Sequence, residues 1–336
     1  MKNSIVLFLF ISVFVSCENH KDVKLAEGIW LAELEVQDDQ KLPFNFKLLK
    51  NEDGKYLMEI YNAEEVIPVD ELEIKNDSII IKTPVFEGYL AGTFTENEIN
   101  GEFIKESLDR FVPFTAYHGK EQRFQVKNKA TEAVSGVWEV DFNPGTEDAY
   151  IAKGIFSQSG SSVTGTFRTT TGDYRYLEGV MDGDSLKLSV FDGAHAFLFT
   201  ARSTDSTLNG NFYSGNHSKE PFIAKRNELF ELPSEDSLTY INEGYDKLAF
   251  SFPDVTNKMV ALDDEQFKNK VVVVQIMGTW CPNCLDETKF LVDYLEKNPN
   301  LDFEVVALAF EYAKTSEGAF KSIQRLKERI GVEYPI

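Results

Sequence analysis

Ile99-Asn100-Gly101-Glu102-Phe103 and Leu208-Asn209-Gly210-Asn211-Phe212 are one pattern written twice: an apolar residue, any residue, glycine, any residue, an aromatic ring. Leu90-Ala91-Gly92-Thr93-Phe94 and Val163-Thr164-Gly165-Thr166-Phe167 repeat it. Residues two apart in a strand share a face. The glycine therefore lies between two inward apolar side chains, where it permits sharp curvature and where a neighbouring ring can cover it. The pattern predicts curved or closed antiparallel sheets.

Working outward, these stretches belong to a longer ordered repeat. Gly28-Ile29-Trp30 matches Gly136-Val137-Trp138, and Asp77-Ser78-Ile79 matches Asp184-Ser185-Leu186. Val85-Phe86-Glu87-Gly88 matches Val190-Phe191-Asp192-Gly193, and Pro113-Phe114 matches Pro221-Phe222. The offsets run from 105 (190 − 85) to 109 (208 − 99). This is far beyond a solenoid period, so a tandem duplication is expected, with β-domains at 25–122 and 133–227. Alternation in Phe44-Asn45-Phe46-Lys47-Leu48 and Leu186-Lys187-Leu188-Ser189-Val190 reads as half-buried strands of a barrel or sandwich. The Gly-x-Trp opening is similar to the first strand of lipocalin- and avidin-type up-and-down barrels. Such a barrel can hold a ligand or be filled by its own side chains, and a spacer or partner-binding role is expected. His118, His195 and His217 have no Cys or carboxylate at metal-ligand spacing. No metal and no cofactor are expected.

The 336-residue chain carries a net charge of −21. Nucleic-acid binding needs clustered Lys and Arg, so it is excluded as a function class, and an anionic lipid surface would be repelled. Membrane contact must then come from an anchor. Lys2 followed by the apolar run Ile5–Val15 has the size of a signal-peptide core and is too short to span a bilayer, which takes ~20 residues. The run ends in Phe14-Val15-Ser16-Cys17, which resembles a bacterial lipobox with Phe14 in the usual Leu position. We expect a signal peptide at 1–16, lipidation at Cys17, a tether at 17–24, and a protein of the cell envelope facing the periplasm or the cell surface.

Residues 228–249 form a linker around Pro233-Ser234-Glu235-Asp236-Ser237. Beyond it, Val271–Ile276 is a short β-branched run that reads as a buried strand of a parallel or mixed sheet. Gly278 lets the chain turn into Trp280-Cys281-Pro282-Asn283-Cys284, and Leu285, Thr288, Leu291, Val292 and Leu295 then mark one face of a helix. Pro282 suits the first helical position, which places Cys281 at the N-cap. There the free N–H groups and the helix dipole favour a thiolate, lowering its pKa below the free value of ~8.5. Cys281 is read as the attacking nucleophile and Cys284, one turn on, as the resolving thiol. A structural zinc site would need about four ligands, and no second cysteine pair exists.

Phe252-Pro253-Asp254, Leu262, Phe267-Lys268-Asn269-Lys270-Val271 and Met277 to Thr288 together resemble the TlpA-like thiol–disulfide oxidoreductases, in the redoxin part of the thioredoxin superfamily. The resemblance covers 250–336. It implies an α/β thioredoxin-like domain behind two tandem all-β domains, and an enzyme that reduces disulfides of envelope proteins using an unidentified electron donor. It also implies supporting roles for Trp280 and Pro282, and Glu287 matches an acidic position of the family, read first as a solvated helix residue and second as a help to Cys284 deprotonation. Gln275 stands where thioredoxins carry a buried Asp, and the sequence reaches Ile336 before the family's remaining strands and cis-proline loop, so an incomplete domain is expected. Two other readings are weaker. A thiol peroxidase of this superfamily needs Pro-x-x-x-Thr-x-x-Cys, and Val274 and Met277 occupy the Pro positions. A metal- or ligand-binding lipoprotein would use the β-domains, with the thiols taking Cu(I).

Overall fold

The computed structural model describes residues 24–336. The expected signal peptide, the lipidation site at Cys17 and the tether up to residue 23 lie outside the described residues. Apolar residues alternating with polar ones, punctuated by Gly, Asn and Asp turns, give nine antiparallel strands in the first repeat. They are β1 (Gly28–Glu35), β2 (Lys41–Lys50), β3 (Tyr56–Asn62), β4 (Glu65–Val69), β5 (Glu71–Lys75), β6 (Ser78–Lys82), β7 (Tyr89–Phe94), β8 (Glu98–Lys105) and β9 (Arg110–His118). Their order is β4-β3-β2-β1-β9-β8-β7-β6-β5. The end strands β4 and β5 are consecutive in sequence, with Asp70 between them, and no ladder joins them, so this barrel is nearly closed.

The second repeat gives β10 (Gly136–Phe142), β11 (Tyr150–Ser159), β12 (Ser162–Thr169), β13 (Gly172–Asp173), β14 (Leu177–Asp182), β15 (Ser185–Phe191), β16 (Ala196–Ser203), β17 (Thr207–Ser214) and β18 (Ser218–Arg226). Here β11 pairs with β12, which closes the barrel. Gly92 and Gly101 face each other across β7 and β8. A Cβ on Gly92 would meet a backbone carbonyl at 2.2 Å, and one on Gly101 would do so at 2.1 Å. Only glycine permits that approach, while Leu90, Phe94, Ile99 and Phe103 on either side turn inward and are buried.

Both interiors are filled by side chains. Trp30 and Trp138 are fully buried at matching places, and each indole Nε1 donates to the carbonyl four residues upstream, Ala26 at 3.1 Å and Val134 at 2.9 Å. In the second barrel Phe142, Phe167, Phe199 and Phe222 form a connected aromatic cluster, with Phe167 and Phe199 at 4.6 Å between centroids. Such pairs add about 0.5–1.5 kcal/mol each beyond their buried area. The barrels also share a seam of core. Phe191 stacks on Phe44 at 4.3 Å, Asn62 Nδ2 donates to Phe191 O at 2.9 Å, and Ser189 Oγ donates to Pro43 O at 2.6 Å.

The C-terminal region corrects the expected fold class. It holds a short hairpin, β19 (Ser251–Pro253) with β20 (Met259–Ala261), whose Val260 packs against Val306 of a unit made of β21 (Val271–Met277), α1 (Pro282–Lys297), β22 (Phe303–Ala309) and α2 (Ser316–Ile330). Its sheet has two parallel strands, β21 and β22. Among the described residues the chain is nearly all-β, with two barrels and two α-helices, and no α/β thioredoxin-like domain is formed. The expectation extended a local motif, a strand, a turn and a capped helix, into a whole domain that such a motif does not specify. The strand itself differs from the reading. Val271 is 66% and Ile276 60% exposed, so β21 is not covered on both faces. Pro335 lies beside β22, its carbonyl accepting from Ala307 N at 2.9 Å.

The C-terminal unit rests on the barrels. Leu285 and Ile330 pack against Val85, Phe86 and Ala194. Arg325 pairs with Glu71 at 2.7 Å and Arg329 with Asp70 at 2.5 Å, so α2 stands across the opening between β4 and β5. No helix among the described residues is long and apolar enough to cross a membrane.

Candidate functional site

The strand β21 delivers the chain to Gly278, where a Cβ would strike Trp280 Nε1 at 2.3 Å, so glycine lets the indole fold back over the turn. Trp280 Nε1 donates to Phe310 O at 2.8 Å, and its ring lies 4.5 Å from that of Tyr312. Thr279 donates through its N–H and its hydroxyl to the Glu311 carboxylate at 2.7 and 2.6 Å. These bonds fix the turn that presents the cysteines.

Cys281 is the N-cap of α1, with extended backbone, and Pro282 opens the first turn. Cys281 Sγ accepts from Cys284 N–H at 3.2 Å, and Cys281 O accepts from Leu285 N–H at 3.0 Å. The two cysteines are joined as a disulfide, with Cα atoms 5.3 Å apart, inside the usual range of 4.4–6.8 Å. Both are half-buried. Behind them runs a polar chain. Gln275, buried at 3% exposure, donates through Nε2 to Glu287 Oε2 at 3.0 Å and to Thr288 Oγ1 at 3.1 Å. Its Oε1 accepts from the Tyr334 hydroxyl at 3.2 Å. Burial pushes that phenol up to about 12, so Tyr334 stays a donor at neutral pH. Glu287 thus meets Gln275 on the Cys284 side of the helix, and Gln275 supplies hydrogen bonds there without a titrating group.

Of the two residues between the cysteines, Asn283 is held from outside its own unit. Asn283 Nδ2 donates to Asp173 O at 3.3 Å, and its Oδ1 accepts from Arg175 Nη1 at 3.1 Å. Arg175 is 7% exposed and joins three parts of the molecule. It pairs with Glu65 of the first barrel at 2.6 Å, with Asp286 of α1 at 2.7 Å, and lies 3.8 Å from Asp192 between β15 and β16. Its φ of 64° is left-handed, a conformation that costs a branched or long side chain energy and persists only when contacts fix it. Burial would lower the guanidinium's pKa, but the bond to Asp286 and the charges of Glu65, Asp286 and Asp192 raise it well above its ordinary value. Burial works to raise the Asp192 carboxyl, yet His195 and Arg175 together hold it below its ordinary value. Glu65 sits above its ordinary value because burial outweighs the pull of Arg175.

Three clefts meet around the motif. One of about 750 Å³ runs between the second barrel and residues 231–238 and reaches Asn283 and Asp286. Another, of about 680 Å³, lies between the first barrel and the turn at Trp280. A third, of about 550 Å³, is bounded by β4, Pro282 and Ile330. Among the described residues no group of three or more His, Cys, Asp or Glu side chains could hold a metal ion. The sequence reading placed Trp280, Cys281, Pro282, Cys284 and Glu287 within one local stretch. It missed Arg175 and that residue's bond to Asn283, which spans 108 positions.

Fold and site together define a two-barrel β protein that carries a helix-capping disulfide on a small α/β appendage. No family model matches the sequence, and no match is found among curated proteins. Among solved structures, the chain is similar to a DUF3598-family protein of unknown function from Nostoc punctiforme at 9% identity and TM-score 0.22, covering 60% of this chain and 96% of that one. It is also similar to a double mutant of the vaccine antigen transferrin binding protein B from Haemophilus parasuis, at 11% identity and TM-score 0.19, covering 60% of this chain and 48% of that one. A third is the Burkholderia oklahomensis agglutinin, at 10% identity and TM-score 0.13, covering 59% and 84%. Scores this low do not establish a shared fold. The resemblance to TlpA-like, redoxin-type proteins is corrected by the architecture itself: the two-stranded sheet β21–β22 replaces the expected domain.

Proposed function

We propose that this chain is an envelope lipoprotein whose two barrels carry a thiol–disulfide exchange centre at Cys281 and Cys284. The observation that carries the reading is the N-cap sulfur. Cys281 Sγ accepts a first-turn N–H while bonded to Cys284, a setting that favours a thiolate leaving group and nucleophile. The reading rests on this local centre and not on a thioredoxin-like fold. In the reduced state the Cys281 thiolate attacks a disulfide of an envelope protein, forming a mixed disulfide and releasing one partner thiolate. Cys284, as thiolate, then attacks Cys281 Sγ and releases the second partner thiol. The partner gains two electrons and the chain is left with the Cys281–Cys284 disulfide, which a dithiol donor must reduce again. The envelope location is supported by the Ser16-Cys17 junction after a short apolar run.

The test is the reduction potential of the full chain, followed by Trp280 fluorescence in a dithiol series, together with capture of a mixed disulfide by Cys284→Ser. A reversible two-electron transition between about −270 and −120 mV, with trapping through Cys281, is expected. No reversible transition and no trapped species would overturn the reading.

A second reading, ligand binding by the β-domains, is favoured by one observation. The 750 Å³ cleft on the second barrel is lined by Lys153, Arg168, Arg175 and Tyr176, and its volume is within the usual range for small-molecule sites. In that case the disulfide is structural, and its reduction would loosen the wall formed by Asn283 instead of transferring electrons.

A further inference from the structure

Asn283 stands between Pro282 and Cys284, inside the loop that the disulfide closes. There the second barrel touches that loop. Asn283 Nδ2 donates to Asp173 O at 3.3 Å, and its Oδ1 accepts from Arg175 Nη1 at 3.1 Å. The seat has no slack. A Cβ on Gly172, whose φ is 147°, would meet Asn283 Nδ2 at 2.5 Å, so the amide lies against bare backbone of the β12–β13 turn. Nor is the seat free to follow a moving helix. Arg175 is buried and pinned to Glu65 of the first barrel at 2.6 Å, while Gly172 and Asp173 are laddered to Thr169 and Arg168 of β12.

Reduction changes what this seat must hold. A dithiol donor gives two electrons and two protons to Cys281 and Cys284 and becomes a disulfide itself, leaving two thiols whose sulfurs no longer fit within bonding distance. The first turn of α1, which lies between those sulfurs, must then readjust around Asn283. A contact fitted to the oxidised turn and weaker with the reduced one adds to the stability of the disulfide, and by linkage the disulfide adds equally to the contact. We infer that the second barrel sets the redox poise of Cys281–Cys284: Gly172, Asp173 and Arg175 are positioning residues that hold Asn283 in the disulfide-closed turn and so draw the potential toward the reducing end. This control rests on the exchange reading and names what regulates its centre.

The experiment is the reduction potential of the full chain, read by thiol alkylation in a dithiol series, for wild type, Asn283→Ala, Gly172→Ala and the double variant. Asn283→Ala removes both bonds, and Gly172→Ala drives the amide from its seat. Each is expected to raise the potential by at least about 20 mV, an about fivefold change in the equilibrium constant of a two-electron couple. Gly172→Ala is expected to add nothing once Asn283 is alanine, because the colliding amide is gone. A barrel turn that was merely loosened would not give that non-additivity. Hydrogen exchange supplies the reciprocal reading without any variant: the amides of β13 and of Tyr174, which donates to Phe167 O, are expected to lose protection when the wild-type chain is reduced. Smaller or opposite shifts, full additivity, or equal protection in both states would overturn the inference. With a reversible wild-type transition, those results spare the exchange reading; no reversible wild-type transition overturns both.

Discussion

The two barrels descend from one pattern and end differently. In the second, β11 pairs with β12 and the ring is complete. In the first, β4 and β5 are left apart around Asp70, and α2 fills the gap with Arg325 and Arg329. The closed barrel is held by its own aromatic cluster and reaches the C-terminal unit through Arg175 and Asp173, whereas the open one meets it beside the gap through Asp70 and Glu71. The motif that carries the cysteines has a sheet of only two strands. Its position therefore depends on what the barrels offer it: an opening on one side and Arg175 on the other.

The largest effects should come from the shared tryptophan. Trp30→Ala and Trp138→Ala should each cost about 3–5 kcal/mol, measured by urea unfolding of the full chain. The comparison sharpens if Trp30→Ala also raises hydrogen exchange in α2 while Trp138→Ala leaves it protected. It breaks if either variant costs under about 1 kcal/mol. Next, Arg175→Met strands Glu65 and Asp192 in a buried place without their cation and should cost about 3 kcal/mol. Hydrogen exchange at α1 and at the β12–β13 turn should rise together, and Arg175→Lys should recover little, since an ammonium lacks the guanidinium fork. Unchanged protection of α1 would show that Arg175 does not hold the motif. The smallest effect is at the opening itself. Arg325→Gln and Arg329→Gln remove partly exposed pairs, each worth on the order of 0.5 kcal/mol, and the loss should shrink in high salt. A cost above about 2 kcal/mol per residue would mean that ion pairs, and not the contacts of Leu285 and Ile330, close the gap.

What the sequence disclosed was local. Gly92 and Gly101 could be read because a strand's period places the residues at two-position spacing on one face. Cys281 could be placed at the helix start because Pro282 and the apolar stripe of α1 lie within fifteen positions of it. The thioredoxin-like expectation failed at the next scale. A C-P-N-C turn before a helix does not state how many strands stand beside it, and β21 has one neighbour. Arg175 was illegible for a different reason. Its partners Glu65 and Asp286 lie 110 and 111 positions away, and one arginine at a positive φ leaves no periodic trace.

The gap between β4 and β5 has a consequence for how copies of this molecule meet. Each strand there carries backbone groups on its free side that no sheet partner takes up, and such a rim is a template for pairing with a strand of another chain. Pro68 already removes one donor from β4, and Arg325 and Arg329 of α2 pair with Glu71 and Asp70 at the opening. A strand of a second copy arriving there would have to displace those two ion pairs, a hindrance to fibre-like self-association.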